Sequence, residues 1–300
     1  MKSLYRQFQL NIQSHRLFSG RDKVLVAISG GVDSTVLANL LFKYESQPSD
    51  HLFLAHVDHQ LRPDSFKEKE LIDRQFASRG LQVFHKIWPR SQHPTSGIEN
   101  AARDFRYQFY EEVASRLGIS TIILAQHAND QAETTLLKLI RGGDWETISA
   151  MNWSRPLNNS SDIRVVRPLL NIKKADLYAY AKSTGLEWIE DPSNQDPDYT
   201  SRNQIRQVVL PALEKINPQA IEHIADFAEQ IKHLKEDQLF EMLKLWVKES
   251  APDLPIKRSQ IDQFEALLKN KQSPNGRIEL ADQVSLIKHH DGIQVRKENE

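Results

Sequence analysis

The chain has 300 residues, 39% hydrophobic and 26% charged, with 39 Lys and Arg against 40 Asp and Glu. That is the profile of an ordinary soluble globular protein with room for two domains. The absence of cysteine excludes disulfides, a thiolate zinc site, an iron–sulfur cluster and any sulfur transfer on a protein thiol. No apolar run reaches the roughly 18 residues of a membrane span, and the first 20 residues lack a signal-peptide core, so a cytoplasmic protein with no membrane partner is expected.

Four short apolar runs, at 23–28, 52–57, 81–87 and 121–125, read as strands. They alternate with helix-period stretches at 34–44, 64–79, 97–117 and 129–140. Strand–helix alternation predicts an α/β fold with a doubly wound parallel sheet. In such a sheet, ligands bind beyond the carboxyl ends of the strands. Three of the four strands end in polar chemistry: SGGVDS, HVDHQLR and QHANDQAE. From 141 to about 200, Pro, Asn and Asp are dense enough to predict ordered loops around one short helix at 173–184. A boundary at 217/218 then divides an ATP-binding domain, 1–217, from a smaller α+β domain, 218–300. The smaller domain reads as a long helix to about 248, a second helix within 254–270 and three short strands.

SGGVDS, residues 29–34, follows a buried strand and opens a helix. Gly30 and Gly31 allow a sharp turn whose N–H groups point inward, and the positive helix end at Ser34 adds to a phosphate nest. No Lys-Ser or Lys-Thr follows, so this is not the common nucleotide P-loop. Asp33 repels a bare pyrophosphate but suits a magnesium ion that bridges phosphate oxygens. A plain helix cap by Asp33 and Ser34 is the competing explanation.

The remaining clusters are more ambiguous alone. His56, Asp58, His59 and Arg62 crowd one loop in a spacing that matches no recognised zinc site. Glu99, Arg103 and Arg106 share one helix face, which is either a solvated salt-bridging face or a clamp for phosphate or carboxylate. Asp130 and Glu133 share a face just after His127, and a capping box accounts for the acids unless Asp130 meets Asp33 across the crevice to complete a metal site. In that arrangement His127 contacts a phosphate or assists a proton transfer. Asp191, Asn194, Arg202, Asn203 and Arg206 surround two prolines, where turns explain the Asx residues and leave the arginines unexplained.

Taken together, SGGVDS, AHVDHQLR, ENAARDFRY, QHANDQAETTLLKLIRGG, VVRPLL and DPSNQDPDYTSRNQIR resemble, in order and spacing over 20–213, the tRNA(Ile)-lysidine synthetases of the pyrophosphate-loop ATPases. The segment 218–297 is similar to the family's first C-terminal domain, and the additional C-terminal domain of longer members has no counterpart. The resemblance implies an adenine nucleotide alpha hydrolase-like sheet. It also implies a two-step ligase for the wobble cytidine of tRNA(Ile) with a CAU anticodon. ATP adenylates the C2 oxygen, and free lysine then displaces AMP to give lysidine.

By the same resemblance Ser29, Gly30, Gly31, Val32, Asp33, Ser34 and His56 bind ATP, and Asp33 and Asp130 hold Mg2+. Arg103, Arg106 and His127 offset charge on the α-phosphate, and Glu133 is the expected base for the lysine amine. His59, Arg62, Arg141, Arg167, Asn194, Arg202, Asn203 and Arg206 contact tRNA or substrate, and a homodimer stays open. Two residues depart from the family pattern: Asn129 replaces one of two adjacent acids, and Gln126 stands where many members have histidine. Competing readings are a tRNA-thiolating or amide-forming relative, disfavoured where it needs cysteine, and a non-catalytic binding module, which only Asn129 suggests.

Overall fold

The computed structural model describes residues 2–143, 147–148, 151–158, 162–190, 200–250, 257, 260, 263, 276–281, 284–289 and 292–297. The chain divides into two compact units, 1–143 with 150–226 and 144–149 with 227–300. Each is considered by itself.

The first unit is built on a six-stranded sheet in the order β3-β2-β1-β4-β6-β5. Its strands are β1 (Val24–Ala27), β2 (Leu52–Asp58), β3 (Gln82–Ile87), β4 (Thr121–Ile123), β5 (Ser154–Pro156) and β6 (Arg164–Val166). β1 pairs in parallel with β2, Val24 opposite Leu52, and with β4, Leu25 opposite Ile122. The central strands are apolar on both faces because helices cover both faces, so Leu25, Val26, Leu54, Ile122 and Val165 are fully enclosed. After β3 the chain returns to the other side of β1, which places the reversal of strand order between β1 and β4. A crevice opens at such a reversal, at the carboxyl ends of the strands.

The helices of this unit are α1 (Lys2–Ser14), α2 (Val32–Tyr44), α3 (Pro48–His51), α4 (Phe66–Gln75), α5 (Ile98–Leu117), α6 (Ala128–Ile140), α7 (Lys174–Thr184), α8 (Ser201–Gln204) and α9 (Leu210–Ile216). The four strands and four helices read before 141 are present, with ends displaced by a few residues. Three parts differ from the sequence reading. α1 was not foreseen, although Leu4, Phe8 and Ile12 recur at helical spacing and are buried in the core formed with α2 and α7. The stretch read as loops contains β6 and, antiparallel to it, the edge strand β5, with Ser154 opposite Val166. Both are three residues long and, unlike β4 in its apolar run TIILA, are interrupted by arginine and proline, so no strand pattern registers. The stretch around the two prolines ends in α8, a π-helical turn at Ile205–Val209, and α9.

α10 (Ala220–Ser250) begins after Pro218, and the second unit continues from within it. That unit contains an antiparallel sheet of β7 (Gly276–Ala281), β8 (Val284–His289) and β9 (Gly292–Lys297), with Ile278 opposite Leu286 and Leu286 opposite Val295. The Gln260 amide donates to the Leu280 carbonyl at 2.9 Å. The helix expected within 254–270 falls almost wholly outside the described residues.

Candidate active site

The loop after β1 is shaped by small residues for stated reasons. Gly30 takes φ +79°, a left-handed conformation that a side chain strains, and an added Cβ would stand 3.4 Å from Glu68 Cβ. The Ser34 hydroxyl accepts the Ser29 N–H and donates to the Gly31 carbonyl, each at 3.1 Å, which fixes the turn. The Gly30 carbonyl accepts the Ile189 N–H at 2.9 Å, seating the loop on the segment after α7. Val32 begins α2 with its side chain in the core, so it offers the site only its backbone. The first N–H groups of α2 have no intrahelical acceptor, and the positive end of the helix favours an anion there.

Asp33 points from this loop to the end of β4. Its Oδ2 lies 3.5 Å from His127 Nε2 and 3.6 Å from Lys174 Nζ. Its Oδ1 is buried and has no hydrogen-bond donor among the described residues. Burial works against ionisation, yet His127, Lys174 and Arg206 hold the carboxyl below its ordinary range. His127 is itself buried, at 2% exposure, and the same Nε2 lies 3.5 Å from Asp130 Oδ2. Burial alone disfavours its cation, but Asp130 and Asp33 outweigh that and raise its pKa. The two carboxylates therefore favour the protonated over the neutral ring.

Asp130 and Glu133 stand one helical turn apart on α6 and meet two arginines, Arg202 from α8 and Arg206 from the π-helical turn. Glu133 has no exposed side-chain surface, accepts Arg206 Nε at 2.6 Å on Oε1 and accepts Arg202 Nε at 2.7 Å on Oε2. Asp130 Oδ1 lies 3.4 Å and 3.6 Å from the same two guanidiniums, and its Oδ2 accepts the His127 N–H at 3.0 Å. This corrects two expectations. Glu133 cannot serve as a base while both of its oxygens hold guanidinium N–H groups; it fixes the arginines instead. Asp130 has both oxygens engaged, whereas Asp33 Oδ1 has no hydrogen-bond donor among the described residues.

Asn129 also finds a use. Its Oδ1 accepts the Lys174 N–H at 3.0 Å and so caps α7, which carries Lys174 to Asp33. Gln126 Oε1 accepts Arg167 Nε at 3.0 Å. Neither Lys174 nor Tyr178, on the same helix, was singled out from the sequence. Tyr178 donates to Glu190 Oε1 at 2.9 Å, and burial followed by that carboxylate pushes its hydroxyl up to about 12. The only advance signal was the helical period of 173–184.

The other expected residues separate. His56, expected at ATP, is 1% exposed and bonded instead to Glu68 at 3.3 Å and His85 at 3.2 Å. Arg62 pairs with Glu68 and reaches the Glu190 carbonyl at 3.5 Å. His59 packs edge-on to Trp88 at 5.7 Å, and burial, then Arg106, lower its pKa to about 4. Arg106 Nε is buried without a partner among the described residues, while Arg103 is exposed above Tyr107. Arg141 caps the far end of α6, about 20 Å from His127 at 1.5 Å per residue. Asn203 is buried at the start of α8, where its N–H donates to the Thr200 hydroxyl. Asn194, with Asp191, lies outside the described residues.

Comparison with known proteins adds independent findings. Residues 3–213 match the PP-loop domain family. The tRNA(Ile)-lysidine synthase of Lactiplantibacillus plantarum is 37% identical over 229 residues, covering 76% of this chain and 50% of that protein. The tRNA(Ile)-lysidine synthase of Enterococcus faecalis is 30% identical, covering 97% of this chain and 69% of that protein. The chain spans about half the length of several of these curated relatives. Among solved structures, the U34-tRNA thiolase NcsA of Methanococcus maripaludis superimposes with a TM-score of 0.63 at 17% identity, covering 77% of this chain and 80% of that one, a likeness of fold alone.

Proposed function

The chain belongs to the PP-loop family and within it to the tRNA(Ile)-lysidine synthases, and from that premise we propose that it ligates free lysine to C2 of the wobble cytidine of tRNA(Ile) with a CAU anticodon, using ATP. The observation that carries this reading is the meeting of Asp33, His127 and Lys174 directly beside the small-residue loop at the strand-order reversal. In the first step the cytidine C2 oxygen attacks the α-phosphate of ATP and pyrophosphate leaves. In the second, the lysine amine attacks C2, loses a proton and expels AMP.

The residues divide this work by charge. The N–H groups opening α2 receive the pyrophosphate. The His127 imidazolium and Lys174 ammonium offset negative charge that builds on the α-phosphate, held in place by Asp33 and Asp130. Asp33 would hold Mg2+ through Oδ1, and the ion, when bound, would neutralise phosphate oxygens. Glu133 positions Arg202 and Arg206 toward the same crevice. A cytoplasmic location accompanies this reading, because its tRNA substrate is found there.

The test is incorporation of labelled lysine into a tRNA(Ile) transcript with a CAU anticodon, with ATP and magnesium, beside tRNA(Met) as control. Incorporation into the first alone is expected. Pyrophosphate release with neither tRNA labelled by lysine would point instead to another acceptor for the same adenylating fold.

A further inference from the structure

At the β5 edge of the first unit's sheet, three arginines gather with no ion pair to an acid among the described residues. Arg103 on α5 and Arg155 on β5 place their guanidiniums 5.4 Å and 5.5 Å from the centre of the Tyr107 ring. Arg167, just past β6, is 5% exposed, donates Nε to Gln126 at 3.0 Å and donates Nη1 to the Asn152 carbonyl at 2.8 Å. Its partners are neutral. Among the described residues no carboxylate lies within ion-pair distance of Arg103, Arg155 or Arg167. Burial pulls the Arg167 guanidinium below its ordinary value, Tyr107 opposes that, and Arg155 and Arg103 add to it.

Like charges brought together on a rigid scaffold raise each other's energy unless an anion joins them. An arginine on an aromatic face is also pre-organised, since its planar fork keeps donors free for a bidentate acceptor. The cluster is also near the chemistry. Gln126, which holds Arg167, immediately precedes His127, whose imidazole contacts Asp33. The pyrophosphate of ATP is served by the loop at 29–34, on the β1 side of that contact. Of the two remaining reactants, tRNA brings a run of phosphodiesters and free lysine a single carboxylate, and three arginines on two elements of the fold and its flanking loop suit the former.

We propose that Arg103, Arg155 and Arg167, arranged about Tyr107, grip an RNA phosphodiester beside the nucleotide that enters the Asp33–His127 crevice. The inference rests on the RNA-modifying reading above and adds to it a surface on the first unit for the substrate backbone. Tyr107 and Arg155 are positioning and binding residues here, with no part in bond making.

The experiment measures tRNA(Ile) affinity of the full chain across a salt series, with ATP affinity and the KM for lysine in parallel. Arg155→Ala should weaken tRNA binding on the order of tenfold and lower the slope of log Kd against log salt by about 0.7 to 0.9, the release of one counterion. ATP affinity and lysine KM should stay within about twofold. Arg155 Nη1 also donates to the Pro156 and Leu157 carbonyls, so Arg155→Lys is the second variant; it keeps the charge, should restore the slope and recovers only part of the affinity. Unchanged tRNA affinity and slope in Arg155→Ala overturns the proposal. A loss of ATP affinity or a raised lysine KM in its place also overturns it, by assigning the cluster to triphosphate or to the lysine carboxylate. Wild-type protein that binds tRNA but incorporates no lysine defeats the ligase reading alone, whereas failure to bind RNA at all defeats both.

Discussion

Two regions of the first unit set histidine beside two carboxylates, and they shift His127 and His85 in opposite directions. At the β1–β4 crevice one imidazole, His127, faces Asp33 and Asp130 together, and its pKa is raised. Between β2, β3 and α4, two imidazoles share the same number of acids. His56 meets Glu68, His85 meets Asp73 at 2.8 Å, and the two Nδ1 atoms face each other at 3.2 Å. That contact has room for one proton, so a second positive charge is opposed, and burial first of all lowers the pKa of His85. Residue type is therefore a poor guide to protonation; the ratio of acids to imidazoles, and what else is buried with them, decides it. The first arrangement favours a positive charge in the crevice, and in the second Glu68, held by Arg62 and His56, braces the turn at Gly30.

The contrast can be broken most forcefully at the crevice. Asp33→Asn should reduce tRNA-dependent pyrophosphate release from ATP by roughly 10²–10³-fold, the usual effect of losing one preorganised charge at a reacting centre. Release close to wild type would remove Asp33 from the chemistry. Glu133→Ala leaves Arg202 and Arg206 without their enclosed acceptor and should cost about 3 kcal/mol in urea unfolding, at the low end for a broken buried pair because Arg202 is 43% exposed. A cost within error would show the arginines finding other partners.

The pH dependence of stability separates the two regions directly. The His127 contribution is complete below the ordinary histidine value near 6.5 and is lost as pH rises through its higher folded value. The contribution of neutral His85 is present above 6.5 and is lost as pH falls through its lower folded value, and that of His59 is lost on descent to about 4. Thermal midpoints of His127→Gln and His85→Asn against wild type from pH 4 to 8.5 should show the first losing its difference at high pH and the second at low pH. Coincident profiles would erase the distinction. Asn129→Asp should change least, within about 0.5 kcal/mol and a few-fold in activity, because an aspartate still accepts the Lys174 N–H. A large loss would show that the added negative charge beside Lys174 matters more than the cap.

Much of the scaffold was legible because its signals are local. The apolar runs of β1, β2, β3 and β4 and the helices between them carry their own periodicity, and Gly30 announces a turn that only glycine tolerates. β5 and β6 were not legible: β4 is as short but sits in the apolar run TIILA, whereas SRP and RVV are broken by arginine and proline and lie among turn-forming residues. Arg202 and Arg206 were noticed but unexplained, because their partner Glu133 lies 69 and 73 positions away. The partners of His56 were hidden for the same reason: they come from α4 and β3, and nothing in AHVDHQLR shows that the ring turns inward.

By itself, then, the sequence determined the alternating α/β plan, the glycine turn between β1 and α2, the exclusion of cysteine chemistry and the blocks from which the family was recognised. These follow from backbone preference and short-range pattern, which each segment carries alone. Tertiary structure alone decided which charges neutralise one another: Asp33 with His127 and Lys174, Glu133 with two arginines, and Arg103, Arg155 and Arg167 with no acid at all among the described residues. Electrostatic partnership depends on distance and burial in space, and residues far apart in the chain acquire both only when the sheet reverses its strand order and brings the ends of β1 and β4 together.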